Sequence, residues 1–562
     1  MKDLHLLPHP LRLEETGGTV DPNSLEVREV VDPAMAGETG PEAYRIEVSQ
    51  SGILLVARTL TGLRWAKATL AQLCVHSKIP CLIIEDAPRF EHRGVMLDIS
   101  RDRVPTMETL KELVDHLSAC KMNHLQLYVE HTIAYAGHED AWRAASPITM
   151  DELDELDAYA AGKGIALTAN QNCLGHFERW LRHPRYAPLG ERSSGSMVRG
   201  EHFVQPNTLC PGDPGSLALI EDLLGQLLPH CSGNYANIGC DEPWDLGTGR
   251  SKEECEQRGK GVVFSEYVSQ VAELCQRLGK RPQYWCDPHP NEGDGLTRDL
   301  VALVWEYEDE RTFKPRVEAH ASVGREVWVA PGTSCWNSST GRTWNRRGNL
   351  DKAASEDIAK GFLCTAWGDG GHRQPWPITL FGFADAAMAA WSGPGHYNDL
   401  ANGLHTFGNP DLGPWLARLG NVDVEICRGE VPCFDGSPSK GRQFWNSTAL
   451  WKDMHTQLFD RTGYGDVAAW ERVRERLTKL LKLPDGVEGL LADECAFSVD
   501  LARWAADRAI IRRDNPTTNQ RKELAARMVD IIANHRRLWL ARSRYGGLED
   551  STAHYIQLAR NW

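Results

Sequence analysis

The sequence lacks several patterns that would assign it to a common class of protein. No uninterrupted apolar run is long enough to cross a membrane. No Gly-x-Gly-x-x-Gly follows an early strand-like segment, which argues against a dinucleotide-binding fold. None of the 15 cysteines stands in a Cys-x-x-Cys pair, so zinc-ribbon and thioredoxin-like sites lack their first signal. The 77 Asp and Glu outnumber the 62 Lys and Arg, and a formal net charge of -15 argues against nucleic acid or an anionic membrane surface as a partner.

Signals for export and for metal binding are missing as well. His131 and His138 are close in the chain, but no His-x-His or His-Glu-x-x-His grouping accompanies them. A metal-dependent hydrolase is therefore the weakest hypothesis, and we expect neither a metal nor a cofactor. Residues 1–10 contain no apolar segment of the kind that a secretory signal needs. Because several cysteines lie singly in apolar segments, where they act as small hydrophobic residues, we expect a reduced, cytoplasmic protein.

The length of 562 residues is too great for one ordinary core, and the pattern along the chain predicts three domains. Residues 1–88 are predicted to form an α+β domain, with a strand pair at 44–48 and 53–57 and a helix over 61–73. Residues 401–562 show only amphipathic helical patterns, which predict an α-helical C-terminal region. This region would either provide a homodimer contact or close one side of a pocket.

Between residues 89 and 400, short apolar segments alternate with helical patterns. The segments lack strict alternation of polar and apolar residues, as expected for strands that are buried on both faces. Eight strand–helix units over about 300 residues predict a (β/α)8 barrel rather than an open doubly wound sheet. The predicted strands are Gly94–Ile99, His124–Glu130, Ile165–Gln171, Tyr235–Asp241, Gln283–Asp287, Val301–Tyr307, Glu326–Ala330 and Phe362–Trp367.

Polar and aromatic residues collect at the carboxyl ends of these predicted strands, and those ends share one face of a barrel. In the clearest case, an apolar strand from Tyr235 runs into Asp241 and Glu242. Two adjacent carboxylates at the end of a buried strand are costly unless they have a function. Tryptophan recurs at several other strand ends, and flat aromatic rings pack on the apolar faces of sugars while carboxylates, Arg and Asn bond the hydroxyls. The pattern therefore predicts a carbohydrate pocket.

Three segments resemble glycoside hydrolase family 20, the β-N-acetylhexosaminidases. The segment from Asn237 to Glu242 is similar to the family's strand-four motif, in which a Gly-rich strand ends in Asp-Glu. Arg93 through Arg101 is similar to its strand-one motif, and Trp367-Gly368-Asp369 is similar to its Trp followed two residues later by an acid. Residues 1–88 also resemble the α+β domain that precedes the barrel in this family.

The resemblance implies an exo-acting β-N-acetylhexosaminidase. Such an enzyme removes a terminal non-reducing GlcNAc or GalNAc from an oligosaccharide or glycoconjugate, with retention of configuration. The substrate's own acetamido oxygen attacks C1 and forms an oxazolinium-type intermediate. Glu242 would be the general acid and then the base, and Asp241 would orient the acetamide and stabilise positive charge while it stays ionised.

By the same resemblance, the other candidates contact the sugar. They are Arg93 and Asp369 at its hydroxyls, Trp285, Trp305 and Trp367 around its acetamido methyl and ring, Glu130 and His176 as polar contacts, and Trp336 as a wall.

Three departures from the family pattern bear on the pocket. Cys240 stands where the family has a second Gly before Asp-Glu, which predicts a tighter pocket. The family's strand-seven Tyr, which bonds the acetamide oxygen, has no match in residues 327–333, so Tyr307 or Asn337 is expected to replace it. Asp369 stands in place of the more usual Glu, which leaves the choice between GlcNAc and GalNAc open.

Two further hypotheses stay open. A two-carboxylate retaining β-glycosidase would use Glu242 as the acid and Glu130 or Glu306 as the nucleophile, and it would not need the acetamide. A sugar-binding barrel without catalysis would bind but not turn over, which is disfavoured because both acids are present. Cleavage of an aryl glucoside distinguishes the first of these from substrate assistance.

Overall fold

The computed structural model describes residues 4–35, 37, 40–194, 197–198, 201–202, 205–287, 295–433, 436–439, 441, 444, 446–455, 465–513 and 517–560. Within them, the strands are β1 Arg12–Val20, β2 Val27–Val31, β3 Tyr44–Ser49, β4 Gly52–Ala57, β5 Ile79–Asp86, β6 His92–Asp98, β7 His124–Val129, β8 Ala166–Gln171, β9 Met197–Val198, β10 Glu201–His202, β11 Tyr235–Asn237, β12 Arg281–Cys286, β13 Val301–Trp305, β14 Val327–Ala330 and β15 Gly361–Ala366.

The helices in the same part of the chain are α1 Leu60–Leu73, α2 Met107–Ala119, α3 Glu139–Trp142, α4 Met150–Gly162, α5 Glu178–Leu181, α6 Pro214–Leu227, α7 Lys252–Arg258, α8 Lys260–Arg277, α9 Lys314–Ser322, α10 Thr343–Ala354, α11 Trp376–Ser392, α12 Asp399–Phe407, α13 Leu412–Leu419, α14 Val424–Cys427, α15 Ala449–His455, α16 Val467–Lys479, α17 Gly489–Arg513, α18 Thr518–Arg542 and α19 Leu548–Arg560. No described helix is both long enough and apolar enough to cross a bilayer.

The first five strands form one sheet in the order β1-β5-β3-β4-β2. Helix α1 contacts β3 and β4 and buries Leu63, Trp65 and Ala66 in the same core as Tyr44 and Ile46. The predicted strand pair and helix are present as β3, β4 and α1. The edge strands β1 and β2 were not predicted, because their residues are all exposed or half-exposed and show no alternation of polar and apolar side chains.

The predicted (β/α)8 barrel is confirmed. Eight parallel strands close in the order β11-β12-β13-β14-β15-β6-β7-β8, and β8 pairs with β11 to complete the ring. All eight predicted strands are present with ends that differ by a few residues. Strands such as β13 and β14 are buried along nearly their whole length, which explains why they read as continuous apolar runs.

Strand β11 ends at Asn237, four residues earlier than predicted. The backbone after it bends sharply, since Gly239, Cys240 and Glu242 have φ angles of +63°, +65° and +48°. Residues in the left-handed conformation end a β ladder. A residue other than glycine adopts that conformation only where neighbouring groups hold it there. Because of this bend, the adjacent side chains of Asp241 and Glu242 reach one pocket, whereas consecutive residues of a regular strand face opposite ways.

The prediction that Arg93 binds the sugar is wrong. Arg93 lies at the amino end of β6 and is fully buried between the first sheet and the barrel. Its Nη2 lies 2.5 Å from Glu42 Oε2, and its guanidinium lies 4.9 Å from the ring of Trp391. At about 3.3 Å per residue, the carboxyl end of the strand at Asp98 is about 16 Å away.

We therefore expect Arg93→Met to affect stability rather than substrate binding. Removal of the guanidinium leaves the carboxylate of Glu42 buried without its cation, a loss of about 3–5 kcal/mol. Urea unfolding followed by tryptophan fluorescence measures it. The matched control is Arg12→Met at the exposed Arg12–Glu85 pair, where the loss stays below about 1 kcal/mol. If Arg93→Met kept its stability but lost affinity for the substrate, the result would support the original prediction that Arg93 binds the sugar.

The C-terminal helices have a core of their own, which includes Trp415, Trp470 and Trp504. Ile378 and Phe381 of α11 also belong to this core, so the helical region packs directly on the last helix of the barrel. The amphipathic patterns over residues 466–481, 494–513 and 519–541 predict three helices, which are present as α16, α17 and α18. A fourth predicted helix, over residues 444–459, is described only as α15, and part of it lies outside the described residues. The domain boundaries after residues 88 and 400 stay predictions.

Candidate active site

A cavity of about 380 Å³ lies at the carboxyl ends of the barrel strands. It is lined by Arg101, His176, Asp241, Glu242, Trp285, Trp305, Glu306, Tyr307, Glu308, Arg311, Trp336, Trp367, Asp369 and Asn446. Most of the predicted site residues are in this set. Arg93, Glu130 and Asn337 are not, and of the two candidates for the missing strand-seven Tyr, only Tyr307 lines the cavity. The backbone carbonyl of Asn337 accepts a hydrogen bond from Thr448 N at 3.2 Å.

Aromatic rings pack against each other on one side of the cavity. Trp285 and Trp367 have ring centroids 5.4 Å apart, and Tyr307 stacks on Trp305 at 5.3 Å and meets Trp336 edge-on at 4.8 Å. The indole Nε1 of Trp367 donates to the Tyr307 hydroxyl at 2.7 Å. These mutual contacts fix the rings in place, so the cavity has a preformed apolar wall.

Asp241 is held as an ionised carboxylate. Its Oδ1 accepts a hydrogen bond from Asn172 Nδ2 at 2.7 Å, and its Oδ2 lies 3.4 Å from His176 Nε2. Burial alone would raise the pKa of Asp241, but the charge of His176 lowers it below its ordinary value. Asn172 also accepts from Cys240 N at 3.1 Å, so one amide holds both the bend and the carboxylate. Sequence reasoning missed Asn172, which lies just past the end of β8.

Glu242 has the opposite electrostatic environment. Burial, together with the neighbouring charge of Asp241, raises the pKa of Glu242 to about 7, although His176 opposes the shift. Its backbone N–H donates to Asp287 Oδ2 at 2.8 Å, and Asp287 Oδ1 accepts from Trp305 Nε1 at 3.3 Å. Asp287 therefore fixes the left-handed backbone of Glu242 relative to one of the aromatic rings.

His176 stands between the acids. Its Nε2 lies 3.7 Å from Glu242 Oε2 and 3.4 Å from Asp241 Oδ2, while its Nδ1 lies 3.3 Å from Arg101 Nη2, which can only donate. Burial and Arg101 would lower the pKa of His176, but the charge of Asp241 outweighs them and raises it to about 10. The same contact therefore raises the pKa of His176 and lowers the pKa of Asp241. Glu130 lies behind His176, with Oε1 3.1 Å from Arg101 Nε.

Arg101, not Arg93, is the arginine of this cavity. It follows β6, and its Nη1 donates to Asp98 Oδ2 at 3.0 Å. The guanidinium lies 5.4 Å from the ring of Trp367, and Asp98 also accepts from the backbone N–H of Gly368, which ties the ends of β6 and β15 together. Both arginines were in the strand-one motif, and the rule that sites lie at carboxyl ends would have selected Arg101.

Cys240 does not narrow the cavity, contrary to expectation. Its side chain is fully buried beneath the bend, and its Sγ donates to the carbonyl of Ile238 at 3.3 Å. Cys240 is not among the residues that line the cavity, whereas Asp241 and Glu242 are.

The two carboxylates proposed as alternative nucleophiles differ in position. Glu130 does not line the cavity, whereas Glu306 does. The Oε1 of Glu306 accepts from Tyr307 N at 2.9 Å, and its Oε2 lies 3.7 Å from Arg311 Nη1. Among the residues that the structure describes, no group of three His, Cys, Asp or Glu side chains suits a metal ion.

Two family models cover much of the chain. Residues 90–345 match the catalytic domain of glycosyl hydrolase family 20, and residues 5–87 match domain 2 of the same family.

Named relatives agree with these matches. A Beta-hexosaminidase of Vibrio furnissii is 25% identical over 304 residues, which cover 47% of this chain and 48% of that protein. A Beta-hexosaminidase of Akkermansia muciniphila is 27% identical over 330 residues, which cover 51% of this chain and 64% of that protein. The chain thus spans about half to two thirds of the length of these relatives.

The X-ray structure of a Flavobacterium johnsoniae chitobiase superposes with a TM-score of 0.56 at 16% identity, covering 94% of this chain and 96% of that one. At this identity the likeness establishes the fold, including the helical region after the barrel.

Proposed function

Because the chain belongs to glycosyl hydrolase family 20, we propose that it is an exo-acting β-N-acetylhexosaminidase. Its substrate would be an oligosaccharide or glycoconjugate with a terminal non-reducing GlcNAc or GalNAc. The observation that carries the proposal is the pair Asp241 and Glu242 in one cavity, with the pKa of one lowered and that of the other raised to about 7. Two carboxyl groups whose pKa values are pushed apart can act as a fixed anion and as a proton donor.

In the first step, the acetamido oxygen of the substrate attacks C1 and the bond from C1 to the leaving oxygen breaks. Glu242 donates its proton to that oxygen, so the leaving group departs as an alcohol. Asp241 accepts a hydrogen bond from the acetamide N–H and stabilises the positive charge that develops on the resulting oxazolinium ring.

In the second step, Glu242 is a carboxylate and takes a proton from water. The water oxygen forms a new bond to C1 on the face that the leaving group vacated, and the bond from C1 to the acetamido oxygen breaks. Two displacements at C1 give net retention, and both carboxyl groups return to their starting protonation states.

The rest of the cavity fits a single terminal sugar. Arg101 and Asp369 provide a donor and an acceptor for its hydroxyls, while the aromatic wall covers its apolar face. The hydroxyl of Tyr307 accepts from Trp367 Nε1, which leaves its own hydrogen for the acetamide oxygen. We propose Tyr307 for the contact that the family makes with its strand-seven Tyr.

Hydrolysis of three 4-nitrophenyl β-glycosides tests the function. We expect cleavage of the N-acetylglucosaminide, the N-acetylgalactosaminide or both, and at least a hundredfold lower kcat/KM for the glucoside, because glucose has no acetamido oxygen to attack C1. Efficient cleavage of the glucoside would instead favour the two-carboxylate mechanism, with Glu306 as the nucleophile in the cavity. Binding of N-acetylglucosamine without turnover of any substrate would favour the inactive sugar-binding barrel.

A further inference from the structure

One residue of the cavity wall comes from the C-terminal helical region. Asn446 lies just before α15, about 200 residues after Glu242 in sequence, yet both line the same cavity. Its backbone is left-handed, with φ of +50°. Asn tolerates this conformation better than most residues, but contacts with neighbouring groups must still hold it.

A buried ion pair anchors the loop. The backbone N–H of Asn446 donates to Glu308 Oε1, and each Glu308 oxygen lies 3.2 Å from one guanidinium nitrogen of Arg342. The side chain of Arg342 is fully buried and that of Glu308 is only 2% exposed. On the other side of Asn446, the backbone N–H of Thr448 donates to Asn337 O at 3.2 Å. Contacts with two barrel loops therefore fix the position of Asn446.

The carboxamide of Asn446 is left for a ligand. The side chain is partly exposed and makes no hydrogen bond to any other described residue, while its backbone provides the anchoring contact. A carboxamide carries two donor hydrogens and an acceptor oxygen, the combination that suits a sugar hydroxyl.

The residues that line the cavity differ in exposure. Trp285 and Tyr307 are buried, whereas Asn446 is partly exposed and the side chains of Glu242 and Arg311 are 30% and 55% exposed. Since Glu242 protonates the leaving oxygen, the leaving group extends toward the exposed part of the lining, which includes Asn446 and Arg311.

We propose that Asn446 binds a hydroxyl of a sugar on the leaving-group side, which makes the C-terminal helical region part of the substrate site. The inference rests on the proposed function and adds to it a specificity-determining residue for the leaving group. A neutral amide and a partly exposed Trp305 ring in the same cavity suit a sugar better than an apolar aglycone.

Asn446→Gly tests the proposal because glycine keeps the left-handed backbone without strain and removes only the side chain. We expect about a tenfold loss in kcat/KM for the β-1,4-linked GlcNAc disaccharide and less than a twofold change for the 4-nitrophenyl glycoside. The ratio of the two values cancels any loss of folded enzyme. Ser146→Gly, at a residue with φ of +51° outside the cavity, is the matched control and should leave the ratio unchanged.

An equal loss on both substrates, or no loss on either, overturns the proposal for Asn446 and leaves the proposed function intact. Wild-type cleavage of the aryl glycoside but not of the disaccharide overturns it as well, because the GlcNAc that Asn446 is expected to bind is then not accepted as a leaving group. Failure of the wild-type enzyme on both substrates would overturn the proposed function itself.

Discussion

Replacement of Asp241 by Asn is expected to lower kcat/KM for 4-nitrophenyl N-acetyl-β-glucosaminide at least a hundredfold, about 3 kcal/mol of transition-state stabilisation. The amide has nearly the shape of the carboxylate but no charge, so it cannot balance the positive charge that develops on the oxazolinium ring. The change also removes the charge that raises the pKa of His176, and Asn172 Nδ2 loses a charged acceptor. Steady-state rates at fixed pH measure the effect.

A second buried aspartate provides the control. Asp245 is fully buried, and its Oδ2 accepts from Asn207 N at 2.7 Å, but it does not line the cavity. Asp245→Asn is therefore expected to lower the stability of the protein through the Asp245–Asn207 contact, and to change kcat/KM much less than Asp241→Asn does. Near-normal activity of Asp241→Asn would contradict the role given to Asp241 and with it the need for an anion beside the acetamide.

The barrel and the centre of its cavity could be predicted because each strand carries its own signal. A buried parallel strand is a short apolar run, and the barrel brings the residue after each run to one face, which is how Trp285, Tyr307 and Trp367 were found. The same rule, applied strictly, would have replaced Arg93 by Arg101. The bend after Asn237 was not predicted to start there, because it depends on how Asn172 packs against Gly239, where a Cβ would lie 2.7 Å from the Asn172 side chain.

Asn446 and Asn172 show what the sequence could not provide. Asn446 reaches the cavity only because Glu308 and Arg342 pair inside the protein and bind its loop, and no periodicity or motif near residue 446 encodes that contact. Asn172 acts through a hydrogen bond to Asp241 that exists only when β8 and β11 are neighbours. The predicted homodimer and cytoplasmic location stay predictions, since no contact within one chain bears on them.

Replacement of Glu242 by Gln is expected to have a larger effect, which depends on the leaving group. A sugar leaves as a poor alkoxide unless it is protonated, so we expect a loss of about a thousandfold or more in kcat/KM for the GlcNAc disaccharide. The 4-nitrophenolate group leaves with little assistance, so the loss for the aryl glycoside in its first step should be much smaller. Parallel measurement of the two substrates gives this difference directly.

The pH profile of the same variant identifies the acid. Burial beside Asp241 raises the pKa of Glu242 to about 7, so in the wild type the protonated fraction, and with it kcat/KM for the disaccharide, falls as the pH rises through about 7. Glu242→Gln has no proton to lose and should lack this decline.

Glu130 is the necessary comparison because burial raises its pKa to about 7 as well, although Arg101 and His176 oppose the shift. Since Glu130 lies behind Arg101 and off the cavity, Glu130→Gln should keep both the decline and the wild-type ratio between the two substrates. If the decline persists in Glu242→Gln and disappears in Glu130→Gln, the proton donor has been assigned to the wrong carboxyl group.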